Sequence, residues 1–250
     1  MKTKDTYNVF FEPGEVTEIR AYGLKGRSKA WEGWAGGSGV VYGYFDNPDD
    51  FGVAAEALEQ ARAPGIYFVL NPVLPDLLAR ACNRLKAAGQ KSPQTADKDI
   101  LCIRWLPVDL DPDRPSGISS SQAELDAAIS VRNKIGQWMK KKWDLPAGAG
   151  VPAVSGNGAH LCYRLPDLPL ERRDNPSEDP NVQMIKHALV ALHQEFSRDG
   201  QGVQVDLKVY NPARIWKLYG TTARKGDHIS ARPHRKSYIE GKWLKGGDKQ

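Results

Sequence analysis

Two aspartates, Asp109 and Asp111, close the apolar run ILCIRWLPVDLD (100–111). Residues two apart on a strand face the same side, so the two carboxylates are expected side by side. Such a pair repels itself. A divalent cation that takes oxygen ligands, Mg²⁺ or Mn²⁺, relieves the repulsion; a solvated strand end is the plainer alternative. Asp113, between Pro112 and Arg114-Pro115, reads as loop with at most a minor role. A third carboxylate, Asp206, sits inside another apolar run, VQVDLKVY (203–210). A lone acid there is costly, so it needs a metal or a basic partner, and Lys208 on the same strand face is a candidate.

Two further segments carry polar chemistry. In SGNGAH (155–160) the glycines let backbone N–H groups approach an anion, and Ser155, Asn157 and His160 offer side chains suited to phosphate oxygens. The spacing is not GxGxxG and no helix follows, which argues against a dinucleotide site; an ordinary hairpin turn is the alternative. NPARIWKLYGTTARKG (211–226) interleaves Arg214, Lys217, Arg224 and Lys225 with Trp216 and Tyr219. That mixture suits a triphosphate or a nucleic-acid backbone with stacking, or else an amphipathic strand and turn. No Ser/His/Asp or Cys/His arrangement for nucleophilic catalysis is evident.

The elements that must position these residues alternate along the chain. Strands are expected at 16–23, 38–45, 66–70, 100–111, 151–156, 159–165, 203–210 and 214–220. Helices are expected at 49–62 after Asn47, at 75–89 closed by Gly89, at 121–143 with Ser119 to Ser121 as caps, and at 181–198. Residues 88–97 and 166–180 read as surface loops. The fold class is therefore α+β, with long helices covering a central sheet. The 250 residues can bury a real core. Three scattered cysteines, Cys82, Cys102 and Cys162, support neither a disulfide framework nor a zinc knuckle. With no long apolar run and no apolar leader, the chain is expected to be cytoplasmic, with no membrane partner. Residues 208–250 hold 11 Lys and Arg against 3 Asp and Glu, a basic end that suits a polyanion or is simply a solvated tail.

The order of these signals is more specific than any one of them. DxD, then SGxGxH about 45 positions on, then a strand aspartate leading into NPARIxKLYGT and a basic KG turn, resembles the archaeo-eukaryotic primase superfamily. The likeness is to the primase-polymerases of phages, plasmids and mobile or CRISPR-linked elements, and covers roughly residues 60 to 230. GIYFVLNPV (65–73) is similar to the segment before the first motif in that group, which places Asn71 beside the site.

The resemblance implies an α+β catalytic core whose mixed or antiparallel central sheet has an RRM-like half and an N-terminal α/β half. It implies a DNA-dependent primase-polymerase that transfers nucleotides from dNTPs or NTPs on a single-stranded DNA template. Asp109, Asp111 and Asp206 would hold catalytic Mg²⁺ or Mn²⁺. Ser155, Asn157 and His160 would meet the incoming phosphates, and Arg214, Lys217 and Lys225 the triphosphate or template. Residues 224–236 are a place for a second, initiating triphosphate. Residues 1–60 are expected to pack as a smaller part on a core at 61–250, or the two to run as one domain to about residue 240 with a flexible tail. A helicase or helical priming module is an expected partner in a longer protein, of which a chain ending GGDKQ would be the catalytic fragment. Two alternatives stay open: a metal-dependent nuclease built on Asp206-Leu207-Lys208, and a non-catalytic nucleic-acid-binding replication module.

Overall fold

The structure, a computed structural model, describes residues 1–37, 39–89, 92–146, 148–197 and 202–241. The chain starts with α1 (Lys4–Phe10), which buries Tyr7 and Phe10. Then come β1 (Thr17–Tyr22), β2 (Gly26–Ser28), β3 (Trp31–Ala35), β4 (Val41–Phe45), α2 (Pro48–Gln60), β5 (Gly65–Val69) and β6 (Lys86–Ala87). β7 (Cys102–Pro112), α3 (Gln122–Trp143), β8 (Gly150–Val154), β9 (Ala159–Pro169) and α4 (Pro180–Phe196) follow. The last elements are β10 (Val203–Val205), β11 (Ile215–Lys217), β12 (Thr222–Ala223), β13 (Arg235–Lys236) and β14 (Tyr238–Ile239).

The class is α+β, as expected, and the strands divide into two main sheets. The first runs β11-β5-β1-β4-β6-β3-β2 and is mixed, because β3 pairs with β6 in parallel. The second runs β10-β7-β9-β8-β14 and is antiparallel throughout. α2 packs on the first sheet, α3 and α4 on the second. Phe10 joins the two: its ring lies 5.2 Å from Phe68 on β5 and 4.9 Å from Trp105 on β7. Aromatic pairs at such spacings bury large apolar area and favour tilted geometry.

Local chemistry explains the helix starts. Asn47 accepts from the Asp50 N–H and precedes Pro48, an N-cap followed by proline at the first helical position. Ser121 and Glu124 form a reciprocal capping box at α3. Asp179 accepts from the Asn181 and Val182 N–H groups at α4.

The structure corrects several expected boundaries. Residues 75–89 are not one helix. A 3-10 turn spans Pro75–Arg80, and the chain then pairs with β4, Tyr44 N–H donating to Ala81 O (3.1 Å) and Asn83 N–H to Tyr44 O (2.8 Å). Asn83 breaks the helical path at φ 49°, a left-handed conformation asparagine tolerates. β9 continues through 166–169, expected as loop, and re-pairs Leu168 with Ile103 and Pro169 with Cys102. A bulge absorbs the intervening residues around Pro166, which has no N–H to offer the ladder. β10 stops at Val205, because the Asp206 carboxylate accepts from the Lys208 N–H (2.8 Å) and turns the chain. α1 and the β2–β3 hairpin were not expected. Ser38, Gln90, Lys91 and Arg198, ends or members of expected segments, lie outside the described residues, as does the tail from residue 242. Cys102 and Cys162 are buried and Cys82 is exposed, all free thiols. No helix among the described residues is long and apolar enough to cross a membrane.

Candidate active site

β7 and β9 are paired so that Asp109 directly faces His160. Val108 and Leu110 are fully buried on the opposite face of β7, which leaves Asp109 and Asp111 together on the other side, as their spacing predicts. That side opens into a cleft of about 560 Å³. The second sheet contributes Asp109, Asp111, Ser155, Asn157 and His160; Tyr22, Gly65, Tyr67, Trp216 and Lys217 come from the first. Arg114, Arg214, Arg224 and Lys225 enter from loops.

The two acids differ in environment. Burial raises the Asp109 carboxyl, but His160, with Nε2 3.3 Å from Oδ1, and then Arg214 and Arg114 outweigh it, so the net shift is downward. Asp111 is shifted up, first by partial withdrawal from water and then by the charge of Asp109; Arg114, 3.4 Å away, opposes this only in part. Asp206 is brought alongside, its N–H donating to Asp109 O at 2.9 Å. Its side chain takes the basic partner that a lone acid requires, and that partner is Arg214 (3.5 Å), not Lys208. Lys208 is exposed, and neither it nor Asp206 is among the residues that line the cleft.

Among the described residues, no three Asp, Glu, His or Cys side chains form a group that could hold a metal ion. The expected three-carboxylate cage is therefore not assembled, because Arg214 holds the third acid. The donor chemistry of the remaining pair still fits a hard divalent cation: both ligands are oxygen, and the Asp111 carboxyl is shifted up by burial and, after it, by the charge of Asp109, which a cation would offset.

His160 is 4% exposed, and both its ring nitrogens are engaged. Nδ1 lies 2.7 Å from Tyr219 Oη, which also accepts from Trp216 Nε1 at 2.8 Å. The indole N–H can only donate. The arrangement that satisfies every buried group has Tyr219 donating to a bare Nδ1, and Nε2–H donating to Asp109. His160 thus orients Asp109 while its ring also lines the cleft. Trp216 and Tyr219, expected to offer stacking to a ligand, are 2% and 0% exposed and pack on His160, with the indole ring 4.1 Å from the imidazole.

The 155–158 turn is held in place from three sides. Ser155 Oγ accepts from Gly158 N–H (3.0 Å), and Asn157 Oδ1 accepts from Ser120 N–H (3.0 Å) at the entrance to α3. A Cβ at Gly158 would come 2.4 Å from Leu110 O, so only glycine lets the turn lie against β7 beside Asp111. The side chains of Ser155 and Asn157 therefore build the wall.

The loop bearing Arg214 is pinned by two residues. Asn71, 4% exposed, donates to Pro212 O (3.0 Å) and accepts from Arg104 N–H (2.9 Å) on β7. Asp97 Oδ1 accepts from Ala213 N–H (2.8 Å) and from Asn211 Nδ2 (3.0 Å). Lys217 is 6% exposed and has no carboxylate at salt-bridge distance among the described residues. Its Nζ donates to Thr222 O (3.2 Å) and lies 5.8 Å from the Tyr67 ring centroid. Burial, reinforced by Arg224 and opposed by Glu59, brings its pKa down to about 7. Lys225 is exposed at the mouth and has no ion pair among the described residues.

The basic segment 224–236 is less available than its composition implies. Arg224 binds Glu59, Arg232 binds Glu124 (2.8 Å), and Arg235 donates to Ser120 O (2.7 Å). Its arginines fasten the β12–β13 hairpin to α2 and α3. Sequence reasoning missed Tyr22, Tyr67 and Arg114. Tyrosine in an apolar strand reads as core, and Arg114 lies in a proline-flanked loop with no periodic signal.

No protein-family model matches the chain. No curated protein matches it. Among solved structures, the chain is similar to the polymerase domain from Mycobacterium tuberculosis Ligase D in complex with DNA, at 16% identity and a TM-score of 0.45, over 94% of this chain and 79% of that one.

Proposed function

We propose that the protein is a metal-dependent nucleotidyltransferase of the primase-polymerase kind, adding dNTPs or NTPs to a strand on a single-stranded DNA template. The observation that carries this reading is that one cleft is lined by a carboxylate pair, Asp109 and Asp111, from one sheet and by a buried lysine, Lys217, from the other, with no carboxylate at salt-bridge distance from it among the described residues. The sequence order of motifs described above supports it.

In this reading Asp109 and Asp111 hold Mg²⁺ or Mn²⁺, and Asp206 is the third carboxylate. A divalent ion held there would supply Lewis-acid chemistry, lowering the pKa of an attacking 3′-hydroxyl and offsetting charge on the phosphate oxygens. His160 keeps the Asp109 carboxylate ionised and fixed in orientation. Lys217, Arg214 and Lys225 meet the triphosphate, where preorganised positive groups stabilise charge that develops on the departing pyrophosphate. A triphosphate that draws Arg214 toward itself also releases Asp206 from its ion pair. Tyr22 and Tyr67 wall the cleft and keep water from it.

The test is incorporation of labelled nucleotide on single-stranded DNA, primed and unprimed, with Mg²⁺ or Mn²⁺ and each nucleotide set. Asp109→Asn should lower turnover by about 10³-fold or more, the scale lost when a transition-state charge contact is removed. Ordinary turnover by the folded variant ends the assignment. Degradation of the strand without added nucleotide would replace it with cleavage chemistry.

A further inference from the structure

The β2–β3 hairpin forms the end of the first sheet opposite β11, and the segment that leads into it from β1 starts at the rim of the cleft. Tyr22, the last residue of β1, lines the cleft, and so does Pro64, against which Gly23 packs so closely that an added Cβ would lie 2.9 Å from the proline Cγ. Lys25 comes three residues after Tyr22, so the base of the hairpin is within about 11 Å of the cleft wall.

Lys25, Arg27 and Lys29, at alternate positions along and beside β2, are all exposed. Among the described residues, none of the three has an ion-pair partner. Glu32, the one acid of the hairpin, is committed to Arg84 at 2.9 Å. On β3, Trp31 and Ala35 are buried and pair with Ser28 and Gly26, which anchors the inner side. The register slips between these two pairs, and Trp34, in the slipped stretch, is 66% exposed. A Cβ at Gly36 would come 3.0 Å from Trp34 Cδ1 and Nε1, so the indole lies back over that glycine. The residue is otherwise open to solvent.

An exposed indole on the same hairpin as three uncompensated cations has a specific complement. A single-stranded nucleic acid offers phosphates at close intervals and unpaired bases whose faces can stack, whereas a duplex hides those faces. We propose that the β2–β3 hairpin binds single-stranded DNA, stacking a base on Trp34 and placing phosphates on Lys25, Arg27 and Lys29, beside the mouth of the cleft. This extends the polymerase reading by naming where the template strand is held. It stands on its own observations, so the two can fail separately.

The experiment is fluorescence anisotropy of a labelled oligothymidylate titrated with the protein over a range of salt, with circular dichroism to verify folding of each variant. Trp34→Ala should weaken binding about tenfold and Trp34→Phe should restore most of it, the behaviour of a base-stacking contact. The triple change Lys25→Gln, Arg27→Gln, Lys29→Gln should reduce the slope of log affinity against log salt by about 2, three phosphate contacts at about 0.7 each. Unchanged affinity and slope in the hairpin variants overturn the proposal. So does a duplex bound as tightly as the single strand, or displacement of the strand by polyglutamate at equal charge concentration. If the hairpin variants lose binding while the unaltered protein incorporates no nucleotide, the hairpin proposal holds and the polymerase reading falls.

Discussion

Lys217 is the residue whose state depends most on its surroundings. Buried in the cleft wall, it is half-protonated near pH 7, so a bound polyphosphate must recruit a proton to it. Affinity for inorganic triphosphate should therefore fall as pH rises above about 7, approaching tenfold per pH unit, and Lys217→Arg should flatten that dependence. Isothermal titration in two buffers of different ionisation enthalpy reads the proton uptake directly. In the free protein the sign follows from the lowered pKa. The folded chain holds fewer protons than the unfolded chain between pH 7 and the ordinary lysine range, so this group makes stability rise with pH across that window. Tyr219 acts on the same wall. Tyr219→Phe strips Trp216 Nε1 and His160 Nδ1 of their partner, and two orphaned buried groups should cost about 1–3 kcal/mol each in urea denaturation.

At the scale of elements, the turn at 155–158 and the loop at 211–214 do the positioning. Gly158→Ala sets a Cβ against the Leu110 carbonyl, and backbone does not yield as a side chain does. The change should cost about 1–3 kcal/mol, a fall in Tm of about 2–12 °C for a chain of this size by thermal denaturation. Asn71→Leu should keep the volume but free Pro212, and with it Arg214. The expected result is a nucleotide KM raised more than kcat is lowered. These elements also show what could be read in advance. That Asp109 and Asp111 share a side was legible because strand residues two apart face the same way. The capped helices α2 and α3 were legible because caps are local. The helix expected over 75–89 failed because the free edge of β4 offers backbone partners that no local pattern reports. The pairing of Asp206 with Arg214 was hidden because it depends on a turn that the aspartate itself makes.

Across the whole molecule, Arg104 clasps the two sheets. It projects from β7, and its guanidinium binds Glu15, which precedes β1, and Asp167 on β9 at 2.6 Å. Arg104 holds the Asp167 carboxyl down at about 2. The stability this contact adds is present above the ordinary carboxylate range and drains away as pH falls from about 4 to 2. Arg104→Met should therefore move the acid-unfolding midpoint to higher pH, followed by circular dichroism. The two halves of the catalytic proposal also ride on different sheets, the acids on β7 and Lys217 on β11. Their separation is thus set by the seam that Phe10 fills, and neither sheet fixes it alone. Inactivation on heating should accordingly precede loss of the far-ultraviolet helical signal, and a bound nucleotide that spans both walls should bring the two curves together.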